Sequence, residues 1–283
     1  MSNRVTIARE VTVAGTALHA GVAVTMGLVP APPGTGIRFR RVDLGGAEVA
    51  ARYDLVAETR LGTVIADGVA RIGVIEHLMA AVAGTEIDDL IVSLDGPEPP
   101  ILDGDALSYL NLLDSAGRRE QTMARRAIKV LRPVTVAQGE ACASLLPAAH
   151  LIYACEIEFP NATIGRQRYS VVFSPAAFRA EIAPARTFGF LSELESLNKL
   201  NLARGASLDN TLALSADGVV NPDKQRFADE FVRHKILDAI GDMALAGAPL
   251  IARFDGIKSG HAVNNALLRA VFADPGNFEL VEL

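Results

Sequence analysis

An imidazole and a carboxylate stand four residues apart in the stretch Phe231-Val-Arg-His-Lys-Ile-Leu-Asp-Ala-Ile-Gly-Asp242. On a helix, at roughly 100° per residue, His234 and Asp238 share one face a turn apart, and Asp242 extends the line. The other face carries Val232, Ile236, Ile240 and Met243, a core stripe. The polar line is either a solvated surface or the floor of a cleft. Phe227 and Phe231 fall on its side and argue for the cleft. A His/Asp pair fixed by one helix suits Zn²⁺, which takes nitrogen and oxygen donors. A catalytic zinc needs a third protein ligand and leaves a position for water. The chain has five histidines (His19, His77, His150, His234 and His261), and the missing ligand is expected among them.

Other residues could complete such a site. His77 follows Glu76, and a carboxylate beside a metal ligand can take a proton from water. The plainer account of Glu76 is an acid favoured by a helix N-terminus. His261 lies in Lys258-Ser-Gly-His261; it is either a surface residue near a helix start or a general acid for a leaving amine, oriented by Asp242. Thr187, in Ala185-Arg-Thr-Phe-Gly-Phe190, either sits in a turn at Gly189 or polarises a carbonyl oxygen beside Lys235. His19, in Gly15–Gly21, is either a loop histidine bound to backbone or a substrate contact.

These residues need elements to hold them. The sequence of 283 residues is half hydrophobic and 21% charged, which describes a globular chain able to bury a full core. A net charge of −6 argues against non-specific nucleic-acid binding. Cys142 and Cys155 lack CxxC spacing, so neither a disulfide framework nor a cysteine zinc site is expected, and the cytoplasm is the natural compartment. No apolar run reaches the ~18 residues of a membrane span. Peripheral contact with a membrane stays open.

Strands are expected at 3–13, 22–30, 36–41, 60–65, 70–75 and 89–94, with helices from Glu76 to Gly84 and from Ala106 to Gly117. The charged run Ser115–Arg126 reads as a domain boundary. Beyond it strands are expected at 127–136, 140–146, 151–159 and 167–173, then a short helix at 175–182. The long helix at 225–246, a strand near 250–254 and a helix at 264–272 close the chain. Residues 188–223 interrupt this order with Phe188, Phe190, Leu191 and several further leucines; the segment is either a satellite of the core or an apolar groove. Aligning His77 with His234 brings Gly84 onto Gly241, each followed by a strand, which suggests two similar halves meeting with one histidine from each at the seam.

The motifs together resemble the UDP-3-O-acyl-N-acetylglucosamine deacetylases, zinc amidases of lipid A biosynthesis. The resemblance covers nearly the whole chain. It is carried by Gly15–Gly21, Ile75–Gly84, Ile101-Leu-Asp-Gly104, Ala185–Phe190, Phe231–Asp242 and Lys258–Asn265. It implies an α/β (α+β) fold of two similar two-layer sandwich domains, 1–120 and 126–283, with the active site at their interface. It further implies Zn²⁺ on His77, His234 and Asp238, Glu76 as general base, and His261, backed by Asp242, as general acid or oxyanion-stabilising cation. Thr187 and Lys235 would flank the carbonyl oxygen. Lys258 would lie near the nucleotide phosphates and His19 near the sugar. The insertion at about 188–223, with Phe188, Phe190, Leu191 and Ser207, would form the acyl-chain passage. The expected protein is a cytoplasmic, monomeric hydrolase that binds a UDP-sugar lipid and no nucleic acid. The chain departs from the family pattern at Ala17, Asp89, Ala206 and Phe159-Pro-Asn-Ala162, all outside the expected metal shell.

Overall fold

Alternating burial along short strands builds two five-stranded sheets with the same wiring. A computed structural model describes residues 2–283. The first sheet contains β1 (Val11–Thr16), β2 (Ala23–Pro30), β3 (Ile37–Arg41), β4 (Ala47–Ala50) and β5 (Leu90–Leu94), in the spatial order β1-β2-β5-β3-β4. The second contains β6 (Val134–Gln138), β7 (Ala141–Leu146), β8 (Ile152–Glu158), β9 (Arg166–Val172) and β10 (Arg253–Ile257), in the order β6-β7-β10-β8-β9. In both, the last strand enters the middle, antiparallel to one neighbour and parallel to the other. A parallel neighbour needs a crossover, which each half supplies as a helix. The duplication suggested by two aligned residue pairs is therefore a property of the whole sheet.

The helices are α1 (Glu76–Gly84), α2 (Leu107–Ala116), the single turn α3 (Pro175–Ala177), α4 (Leu191–Lys199), α5 (Glu230–Ala244) and α6 (His261–Ala273). α1 precedes the central strand of the first sheet, and α5 that of the second. The two pack against each other across the seam, and one core runs through both halves. Leu78, Ile236, Leu237 and Ile240 are each at most 1% exposed. Full burial of such side chains stabilises by about 1.5–3 kcal/mol each.

Several boundaries differ from the sequence reading, each for a local reason. The strand expected at 3–13 is two strands. Asn3–Ile7 pairs with Arg118–Ala124, while β1 joins the first sheet. The break falls where Ala8 and Arg9 donate their amides to Gly117 and Ala116. The charged stretch read as a boundary is largely that partner strand, Arg118–Ala124. The strand expected at 127–136 is interrupted at Arg132-Pro133, because proline has no amide hydrogen for the ladder. α5 begins at Glu230 rather than Gln225. The buried Glu230 carboxylate accepts the amides of Arg186, Arg226 and Phe227, holding the preceding loop in a non-helical path.

Two departures from the family pattern are fully satisfied. Asp89 is completely buried; it accepts two hydrogen bonds from Arg4, at 2.7 and 2.8 Å, and one from the Gly36 amide at 2.7 Å. Ala17 is also completely buried, bridged to Pro100.

Candidate metal centre and active site

The seam between α1 and α5 gathers groups that no single element could present together. α1 supplies Glu76 and His77 in its first turn; α5 supplies His234, Lys235, Asp238 and Asp242. The two imidazole rings meet edge to face with centroids 4.9 Å apart. Nε2 of His77 and Nε2 of His234 lie 3.6 and 3.5 Å from the same oxygen, Oδ1 of Asp238. Each of the three residues offers a ligand atom within 4.8 Å of the others, and all three are buried.

The protonation pattern suits a divalent cation. Burial pushes His234 down to about 3, so its ring is neutral. Its Nδ1 faces the Ala185 carbonyl at 3.1 Å, which places the proton there and leaves the Nε2 lone pair free. Burial works against the Asp238 charge, yet the Lys235 ammonium holds its carboxyl well below the ordinary value. Lys235 Nζ donates to the other carboxylate oxygen, Oδ2, at 2.7 Å. Two imidazoles and one carboxylate converging on a common point form a donor set of the kind a three-ligand zinc site uses.

Around that point stand a further carboxyl and a further imidazole. Glu76 is 3% exposed, and burial raises its carboxyl above the usual range. Its Oε1 lies 3.9 Å from Nε2 of His261. His261 is the first residue of α6, and its Nδ1 is 2.9 Å from Oδ2 of Asp242. Burial opposes the His261 charge, but Asp242 and Glu76 outweigh it and raise the ring to about 9. A carboxyl with raised proton affinity thus faces a histidine held protonated, a pairing able to take up and give back protons.

These groups open into a cavity of about 380 Å³, within the size range of small-molecule sites. Thr187, Phe188 and Phe159 form one wall, Leu18, Leu61 and Val74 another. The Phe188 ring packs on Phe231 and His234. A larger cavity, about 520 Å³, lies behind α1 and α5 against Met79, Val82, Ile240 and Met243; it holds none of the metal or acid–base groups.

The remaining expected contacts lie apart from this cavity. His19 engages Leu61 O at 2.9 Å through Nε2 and accepts the Ala203 amide at 3.2 Å through Nδ1. Lys258 pairs with Glu158 at 2.7 Å and Glu140 at 3.1 Å. Phe190 packs against Phe159, Leu191 opens α4 with 45% of its surface exposed, and the Ser207 hydroxyl accepts the Asp209 amide within a turn. Two site residues escaped the sequence reading. Thr63 and Asn264 both donate to Asp242, at 2.6 and 2.8 Å. Thr63 carries no spacing signal; Asn264 lies one helical turn from His261 on α6, and that spacing was the available clue.

The family model for UDP-3-O-acyl N-acetylglycosamine deacetylase matches residues 4–273. The chain belongs to this family. Among curated members named UDP-3-O-acyl-N-acetylglucosamine deacetylase, the one from Myxococcus xanthus (strain DK1622) is 45% identical over 280 residues, covering 99% of this chain and 89% of the relative. The member from Anaeromyxobacter sp. (strain Fw109-5) is 44% identical over 281 residues, covering 99% and 92%. The member from Phenylobacterium zucineum (strain HLK1) is 45% identical over 265 residues, covering 93% and 90%. The family's duplicated α/β architecture is the one seen in the two sheets.

Proposed function

We propose that the chain is a zinc-dependent hydrolase that removes the N-acetyl group from UDP-3-O-acyl-N-acetylglucosamine, a step of lipid A biosynthesis. The observation that carries the reading is the convergence of His77, His234 and Asp238 from two halves on one point, flanked by Glu76 and His261, in a member of this deacetylase family. Zn²⁺ held by those three residues would supply a Lewis acid and a water of lowered pKa.

The chain's own residues supply the rest. Glu76 takes a proton from the attacking water, and its raised proton affinity lets it hold that proton. The protonated His261 stabilises the developing oxyanion or passes a proton to the departing amine, while Asp242 fixes its ring. The products are acetate and the free amine, so one water is consumed and no redox partner is needed. The Thr187 hydroxyl is a donor for the carbonyl oxygen. Lys235 neutralises Asp238 and flanks the same oxygen.

The apolar insertion beside the cavity supports an acyl-bearing substrate. From Phe188 the insertion runs through a small parallel sheet, Phe188–Phe190 with Leu212–Leu214. It exposes Leu191, Leu194, Leu200 and Leu208, with Phe190 and Ser207 beside the path. An acyl chain is the group such a surface accepts. Lys258 reaches a diphosphate by exchanging its two glutamate partners, and His19 orders the loop nearest the sugar. No helix among the described residues is long and apolar enough to cross a membrane.

The test is acetate release from the UDP-sugar lipid by purified protein, with metal analysis. Chelation should abolish turnover and Zn²⁺ restore it. Full activity without bound metal, or none in the zinc-loaded protein, would overturn the reading.

A further inference from the structure

One residue outside the roles above touches both the base and the carboxylate behind the acid. Thr63 stands just before the strand Val64–Asp67 and is 1% exposed. Its backbone N–H donates to Oε2 of Glu76 at 2.9 Å, and its hydroxyl donates to Oδ1 of Asp242 at 2.6 Å. Each contact engages one carboxylate oxygen. Oε1 of Glu76 is left as the oxygen that faces His261, and Oδ2 of Asp242 is left for His261 and Asn264.

The loop that brings Thr63 here is built for close approach. Gly62 has φ +153, and a Cβ on it would stand 3.0 Å from Oε1 of Glu76. Leu61 sits in the left-handed region at φ 58, and its carbonyl is engaged by His19 at 2.9 Å. A non-glycine residue held at positive φ costs of order 1–3 kcal/mol and persists only where its surroundings over-determine it. Here the surroundings are the base, Asp242 and a histidine that also anchors the insertion through the Ala203 amide.

We propose that Thr63 is a positioning residue for deacetylation, fixing through its amide which oxygen of Glu76 receives the proton and through its hydroxyl how Asp242 presents itself to His261. The proposal rests on the acid–base roles given to Glu76 and His261 above. A residue that only filled space at the seam would affect folding and metal retention rather than turnover alone.

The experiment compares Thr63→Val, Thr63→Ser, His261→Ala and the double variant Thr63→Val/His261→Ala as zinc-loaded full chains, measuring kcat, KM and bound zinc. Thr63→Val should lower kcat by about 10- to 100-fold, the range for lost outer-shell partners, with KM and zinc content unchanged. Thr63→Ser should restore most of kcat. In the His261→Ala background the valine substitution should add little, because the two act in one chain of contacts. Should the valine variant not fold, Thr63→Ala takes its place. Wild-type kcat in the valine variant, an equal loss in both backgrounds, or a joint change of kcat, KM and zinc content would overturn the proposal. Full turnover in His261→Ala would remove the acid–base reading itself and this proposal with it; the Thr63 variants alone sink only the latter.

Discussion

The two halves share one sheet plan yet give the active site different things. α1 is nine residues long and delivers Glu76 and His77 from its first turn. α5 is fifteen residues long and delivers His234, Lys235, Asp238 and Asp242 from three successive turns. On the roles proposed above, the first half would contribute a base and one ligand, and the second two ligands and the carboxylate that holds the acid. The additions differ too. The first half carries the small sheet Val56–Glu58, Val64–Asp67 and Ala70–Ile72, whose first two strands are joined by the Thr63 loop; the second carries the apolar insertion. Duplication supplied two helices that face each other, and the chemistry came from what each copy presents on that shared face.

The sharpest way to break this division is to remove ligands from either side. His77→Ala and His234→Ala are each expected to lose bound zinc and to fall to background activity, because neither half holds the ion alone. Glu76→Gln, one residue away, is expected to keep zinc and lose roughly 10²- to 10⁴-fold in kcat. Metal analysis beside acetate release separates the outcomes. A metal-free Glu76→Gln protein would place that residue among the ligands instead.

A smaller effect is expected at the matched glycines. A Cβ on Gly241 would lie 2.0 Å from the backbone oxygen of Glu76, whereas one on Gly84 would meet the Phe178 ring at 2.1 Å. Alanine at either position overpacks the core and should cost about 1–3 kcal/mol in urea denaturation. Only Gly241→Ala pushes on the backbone that carries the base, so it alone should also lower kcat. Equal kcat losses in both variants would erase the asymmetry.

The smallest effect concerns pH. In the metal-free protein the His261 ring is raised to about 9 from an ordinary value near 6.5. A group raised on folding adds stability that is complete below its unfolded pKa and is lost as pH rises through its folded pKa. The urea midpoint of the metal-free protein should therefore fall between about pH 6.5 and 9, and His261→Gln should flatten that part of the curve. An unchanged slope would show that Asp242 and Glu76 do not hold the ring charged.

Much of this arrangement was legible from residue order. The His/Asp spacing on an apolar helix, the Glu76-His77 pair and the two histidine-bearing helices were all visible, because helical periodicity acts over a few residues and leaves a regular trace. What could not be seen depends on distant backbone. The start of α5 is set by Glu230 gathering amides from Arg186, Arg226 and Phe227. The charged run Ser115–Arg126 reads as a domain boundary, and the strand within it, Arg118–Ala124, left no trace because its ladder with Asn3–Ile7 uses backbone groups that every residue has. Thr63 contributes an amide and a common hydroxyl, and neither stands out from sequence.

At Gly241 the absence of a side chain lets the C-terminal half rest directly on the peptide of the catalytic carboxylate. Any shift between the two halves would carry Glu76 and His77 away from His234 and Asp238 together. The seam contact at Gly241 therefore ties the position of that carboxylate to the packing of the two halves.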